Sequence, residues 1–177
     1  MVILAGGLSE RMGRDKSRLR LGGRSLLSIL RGVAREAGFP CRVVRRDAVP
    51  RCGPLGGILT AIASSRQDAC LFLSCDMPFV APSLLLRIVK TARSRRAACF
   101  TSRAGLRGFP AVIWRDHLPS LRRAIAGGEL SLQSLARRLR ARAPRLSGFD
   151  EAHFFNINTP EDWKTAQGLW LQRRRGS

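Results

Sequence analysis

The chain predicts an α/β fold, a predominantly parallel central sheet flanked by helices. Short apolar runs alternate with segments of helical period, one run is apolar on both faces, and Gly-rich turns follow strand-like stretches. Val2 to Leu4 reads as a short first strand running into a Gly-rich loop. From Ser25 to Ala37, Leu26, Leu27, Ile29, Leu30 and Val33 recur at helical spacing, and Gly38 supplies the stop. Cys41 to Val44 follows as a second strand, and Pro54 to Ser64 as a helix opening after Gly53. Cys70 to Ser74 is continuously apolar, as a strand covered on both faces must be, and delivers Asp76 at its carboxyl end. Proline starts the next helix, Pro82 to Arg93. Ala97 to Thr101 and Pro110 to Trp114 read as strands, Asp116 to Ala126 and Ser131 to Arg142 as helices. Pro160 to Leu171 closes the chain as a helix capped by Thr159, with Glu161 and Asp162 where the macrodipole favours acids. No repeat or linker divides residues 1–177, so one domain is expected, with a basic tail at about residues 172–177.

Composition narrows the function classes. With 45% hydrophobic and 25% charged residues the chain can bury an ordinary core. No apolar run approaches the roughly 18 residues of a spanning helix, and Met1 to Gly7 lacks a basic leader, so a cytoplasmic protein off the membrane is expected. Cys41, Cys52, Cys70, Cys75 and Cys99 form an odd set without a C-x-x-C pair and read as reduced thiols. Cys70, Cys75, His117 and His153 could hold zinc only in principle, because nothing among them has metal-ligand spacing.

The formal net charge is +20, and Lys16, Lys90 and Lys164 are the only lysines among 32 basic residues. Such a surface attracts phosphates and polyanions in general. The runs Arg137 to Arg142 and Arg173 to Arg175 read as solvated helix faces and a frayed end, and without interleaved aromatics any nucleic-acid binding is expected to be non-specific.

The chemistry is expected in the loops after the first and third strands, at the carboxyl edge of the sheet. After the first strand comes Leu4-Ala5-Gly6-Gly7-Leu8-Ser9-Glu10-Arg11-Met12-Gly13-Arg14-Asp15-Lys16. Glycines let backbone N–H groups approach phosphate oxygens, and cations in the same loop stabilise them. It matches neither the P-loop nor G-x-G-x-x-G, and a plain surface turn is the alternative for two adjacent glycines. Asp76 by itself could be a metal ligand or merely cap the turn that follows.

The full string resembles L-A-G-G-x-S-x-R-M-G-x-D-K, the signature of the molybdenum cofactor guanylyltransferases. Three further stretches follow in that family's order: Gly53-Pro54-Leu55-Gly56-Gly57-Ile58, Leu73-Ser74-Cys75-Asp76-Met77-Pro78, and Phe155-Asn156-Ile157-Asn158-Thr159-Pro160-Glu161-Asp162. The resemblance implies a Rossmann-like nucleotidyltransferase domain that moves GMP from GTP to the terminal phosphate of molybdopterin, with Mg²⁺, releasing pyrophosphate. It implies that Leu4, Ala5, Gly6, Gly7 and Lys16 cradle the nucleotide, with Asp47 and Gly53, Pro54 and Leu55 beside it. Arg11, Lys16 and Asp76 would act on the phosphates, Asp76 as the magnesium ligand, Asp15 would orient Lys16, and Asn156 and Asn158 would face the pterin. Docking onto an acidic molybdoenzyme or its chaperone is a further expectation.

Two departures matter. The stretch from Arg45 to Cys52 is shorter than the family's loop, and Arg45 stands near the place of an asparagine that helps bind the nucleotide. Gly56 replaces the family's alanine, at little cost. Two other functions stay open, a related transferase using CTP or a sugar phosphate and a non-catalytic basic binding protein. Ala5-Gly6-Gly7, where the cytidylyl enzymes have Ala-Ala-Gly, and the acidic Asp15 before Lys16 favour guanylyl transfer. The complete phosphate-loop signature with Asp76 disfavours a binder.

Overall fold

The computed structural model describes residues 1–6, 19–46, 49 and 51–175. The chain runs through β1 (Val2–Leu4), a hairpin of β2 (Arg20–Leu21) and β3 (Arg24–Ser25), α1 (Leu26–Glu36), β4 (Arg42–Val44) and α2 (Gly53–Ala63). It continues through β5 (Ala69–Ser74), α3 (Pro82–Arg95), β6 (Cys99–Arg103), β7 (Leu106–Trp114), α4 (Leu118–Ala126), α5 (Leu132–Arg138) and α6 (Pro160–Arg175). The central sheet has the order β4-β1-β5-β7-β6. β1 pairs parallel with β4 and β5, and β7 pairs antiparallel with β5 and β6, so four strands point one way and β7 alone runs against them.

Strand alternation builds a core on each face. Val2, Leu4, Phe72, Phe100 and Ile113 point toward α2, α4 and α5, where they meet Leu55, Ile58, Leu121 and Leu135. Ile3, Leu71, Leu73 and Val112 point the other way, toward Leu30 of α1 and Leu84, Leu85 and Ile88 of α3. Truncating a fully buried side chain such as Phe72 to alanine costs about 3–5 kcal/mol. A third cluster joins Leu21, Leu26, Ile29 and Phe79 to Ile157 and to Ala166 of α6. Gly22 is required where the hairpin meets α6, because its φ is +57° and a Cβ there would stand 2.0 Å from Trp170 Nε1.

Most elements fall where the pattern places them, and three differ. The expected helix from Ser131 to Arg142 stops at Arg138: Arg140 takes φ +47°, and Arg142 leaves the helix to exchange main-chain bonds with Ala98 and Phe100 beside β6. The two expected strands near Thr101 and Pro110 lengthen into one hairpin, since Ala104 and Gly105 at positive φ turn the chain directly from β6 into β7. The last helix does not fray after Leu171 but continues to Arg175. Arg173 holds it, with its guanidinium over the Phe79 ring at 5.1 Å and Nη1 donating to the Phe79 carbonyl at 3.3 Å. Among the described residues no helix is long and apolar enough to cross a membrane.

Candidate functional site

The parallel strands carry their carboxyl ends to one edge, and main-chain bonds hold that edge together. Past β1, the Ala5 N–H donates to the Val44 carbonyl at 2.8 Å, and Cys75 N–H, in the turn after β5, donates to the Leu4 carbonyl at 3.0 Å. Asp76 comes next, and its carbonyl accepts from Ile157 N–H at 2.9 Å. Leu4, Ala5 and Gly6, then Asp76, then Asn156 and Asn158 are thereby brought together from three separate parts of the chain.

Asp76 is half-buried and its Oδ1 is shielded from solvent. On the segment ahead of α6, Ile157 points inward and is fully buried, which turns its exposed neighbours Asn156 and Asn158 outward onto the cleft described below. A reciprocal cap fixes the end of that segment: Asp162 Oδ2 accepts from Asn158 N–H at 2.8 Å and Thr159 N–H at 2.9 Å, while Asp162 N–H donates to Thr159 Oγ1 at 3.1 Å. Asn158 thus shapes the turn through its main chain and keeps its side chain on the cleft.

Gly53 opens α2 at φ +52°, with Pro54 in the first turn. Leu55 and Leu4 are core side chains, 0% and 7% exposed, so any ligand contact of theirs is through the main chain. Gly7, Arg11, Asp15, Lys16 and Asp47 lie outside the described residues. Among the described residues no three His, Cys, Asp or Glu side chains gather to hold a metal, the zinc set of Cys70, Cys75, His117 and His153 included. None of the five cysteines is in a disulfide. Burial pushes the Cys99 thiol up to about 11 against the pull of the Arg107 charge, which keeps it protonated.

Beside Asn156 and Asn158 opens a cleft of about 680 Å³, walled by Arg103, Arg107 and Phe109 of the β6–β7 hairpin and by Gln133 of α5. Sequence reasoning missed these residues. The two arginines flank the Ala104-Gly105 turn, a recognisable hairpin signal, but among so many arginines they carry no mark of their own.

Residues 1–144 match the family described as MobA-like NTP transferase domain. The chain is 31% identical to a molybdenum cofactor guanylyltransferase of Xanthomonas euvesicatoria pv. vesicatoria, over 92% of this chain and 90% of that one. It is similar in fold to molybdopterin-guanine dinucleotide biosynthesis protein A of Archaeoglobus fulgidus, at TM-score 0.81 and 24% identity, covering 97% and 98% of the two chains. It is also similar in fold to Rv0371C of Mycobacterium tuberculosis H37Rv, solved in complex with manganese, at TM-score 0.66 and 20% identity over 94% and 96%.

Proposed function

The chain belongs to the MobA-like NTP transferase family, and from that premise we propose that it transfers GMP from GTP to the terminal phosphate of molybdopterin. An oxygen of the acceptor's phosphate monoester attacks the α-phosphorus of GTP. The bond from that phosphorus to the oxygen bridging to the β-phosphate breaks, and pyrophosphate leaves. Such a monoester is largely ionised near neutral pH, so no side chain has to remove a proton. The protein's task is to bring two polyanions together and stabilise the charge that develops.

Arg11 and Lys16 supply positive charge to the donor phosphates in this reading, with the backbone of Leu4 to Gly7 around them, Gly53 to Leu55 nearby and Asp47 on the nucleoside. The half-buried Asp76 carboxylate, with one oxygen shielded from bulk water, fits magnesium, which takes one or two carboxylates and completes its shell with substrate phosphates and water. Asp76 would hold the ion, which when bound would supply charge neutralisation for the transferring and departing phosphates. Asn156 and Asn158 offer amides to the polar edge of the pterin.

The observation that carries the proposal is the bond from Ile157 N–H to the Asp76 carbonyl, since it fastens the acceptor-side asparagines to the proposed metal ligand. GTP as donor and thiols free of disulfides fit a reducing, nucleotide-rich cytoplasm. The basic surface suits docking of an acidic molybdoenzyme or chaperone and only non-specific contact with nucleic acid. A thermal-shift panel of GTP, CTP, UTP and ATP with magnesium tests the proposal, because a ligand of the folded state stabilises it by RT ln(1 + [L]/Kd). GTP should raise Tm most, and a panel without a GTP shift would contradict it.

A further inference from the structure

One guanidinium at the carboxyl edge has a shielded nitrogen without an acceptor among the described residues. Nη1 of the half-buried Arg107 is shielded from solvent and has no hydrogen-bond acceptor among the described residues. Arginine stays charged at any accessible pH, and a shielded, unpaired cation is costly, so such a group is stable only where an anion can reach it. The described residues supply no acceptor for it. Of the carboxylates lining the same cleft, Glu151 is paired with Arg103, whose guanidinium also lies over the Phe154 ring at 4.8 Å, and Asp162 caps α6.

The hairpin also puts Arg107 at a particular level. Ala111 of β7 pairs with Phe72 of β5 on one side and with Phe100 of β6 on the other. The next β6 residue, Thr101, pairs with Gly108, so Phe109 and Pro110 bulge out of the ladder and Arg107 falls back level with Ser102. Two residues beyond Phe100 on β6 corresponds to two beyond Phe72 on β5, which is Ser74, one turn short of Asp76. Thr101 Oγ1 donates to the bulged Phe109 carbonyl at 2.7 Å and Gln133 Nε2 donates to the Arg107 carbonyl at 2.8 Å, holding the main chain in place.

We propose that Arg107 binds the terminal phosphate of the acceptor, a phosphate monoester dianion, from the β6–β7 wall of the cleft. The proposal rests on the transferase reading of this edge and adds the group that receives the second substrate. The planar fork of the guanidinium matches two phosphate oxygens and offsets the repulsion between the acceptor and the donor α-phosphate. Arg103, occupied by Glu151 and Phe154, forms the wall instead.

Arg107→Gln and Arg107→Lys in the full chain test this. Arg107→Gln should raise the KM for molybdopterin about tenfold or more, while Tm and the calorimetric Kd for GTP with magnesium stay within about twofold of the parent values. Arg107→Lys should recover part of the loss, keeping the charge without the fork. A merely structural arginine would lower Tm and leave the ratio of the two affinities alone, and either that result or weakened GTP binding with unchanged acceptor KM overturns the proposal. If the parent protein makes no dinucleotide, the transferase reading has failed, and titration of inorganic phosphate still judges the site: saturable binding by the parent, lost in Arg107→Gln, sustains an anion site at Arg107, and equal binding by both removes it.

Discussion

Asp76 and Ile157 are joined main chain to main chain, the Ile157 N–H donating to the Asp76 carbonyl at 2.9 Å. Substitution of the Asp76 side chain leaves that link intact, which separates the carboxylate's chemistry from the architecture around it.

Asp76→Asn should therefore keep its fold and lose magnesium-dependent transfer, because a neutral amide is a poor ligand for a hard dication. Circular dichroism checks the fold and a magnesium titration of activity checks the ligand. A variant retaining both its rate and its magnesium requirement would reduce Asp76 to a turn cap.

Lys16→Ala should abolish turnover in a folded protein, since the loss of one charge contact to a transferring phosphate costs about 3 kcal/mol or more, on the scale of an oxyanion-hole donor. Single-turnover GMP transfer at the parent rate would remove Lys16 from the cradle.

Much of the fold was legible because its elements are built from strong local signals. The continuous apolar run from Cys70 to Ser74, the helical spacing of Leu26, Leu27, Ile29, Leu30 and Val33 and the prolines opening α2 and α3 each name an element without tertiary information. The misjudged boundaries are tertiary in origin: Arg142 leaves its helix because β6 offers it backbone partners, and α6 outlasts its apolar residues because Phe79 takes up Arg173. At the candidate site, the resemblance marked Asp76, Asn156 and Asn158, which the structure brings to one edge. Arg107 was not marked, since what singles it out is a two-residue bulge and a shielded nitrogen without an acceptor among the described residues, which no sequence pattern displays.

Thr159→Ala removes the side-chain acceptor that caps α6 and should cost about 1 kcal/mol, read as a lower urea midpoint with an unchanged slope. An unchanged midpoint would show that the helix is held by Arg173 and the Ile157 cluster alone.

His117 sets an acid sensitivity. Burial lowers its pKa against the opposing charge of Asp116, and its Nε2 is shielded without a hydrogen-bond partner among the described residues. A folded-state pKa below the unfolded value means the unfolded chain takes up a proton first. Stability is then full above about pH 6.5 and declines as pH falls from there toward the folded pKa. Urea unfolding at pH 7.5 and pH 5 should show a smaller acid loss in His117→Gln than in the parent, and parallel losses would exclude His117 as the cause.

Base choice bears most directly on the central claim, because in the proposed reading the short stretch from Arg45 to Cys52 offers fewer side chains to the nucleotide than the family's loop would. Each hydrogen bond left unpaired by a wrong base in a buried site costs roughly 1–3 kcal/mol, so GTP should be preferred by a narrower margin than a full loop would give. The decisive measurement is a competition in which the full chain, magnesium and molybdopterin meet equal concentrations of GTP and CTP, each labelled at the α-phosphate, and the dinucleotide product is identified. Predominant transfer of GMP with stoichiometric pyrophosphate is the predicted result, and predominant transfer of CMP, or no dinucleotide at all, would contradict it.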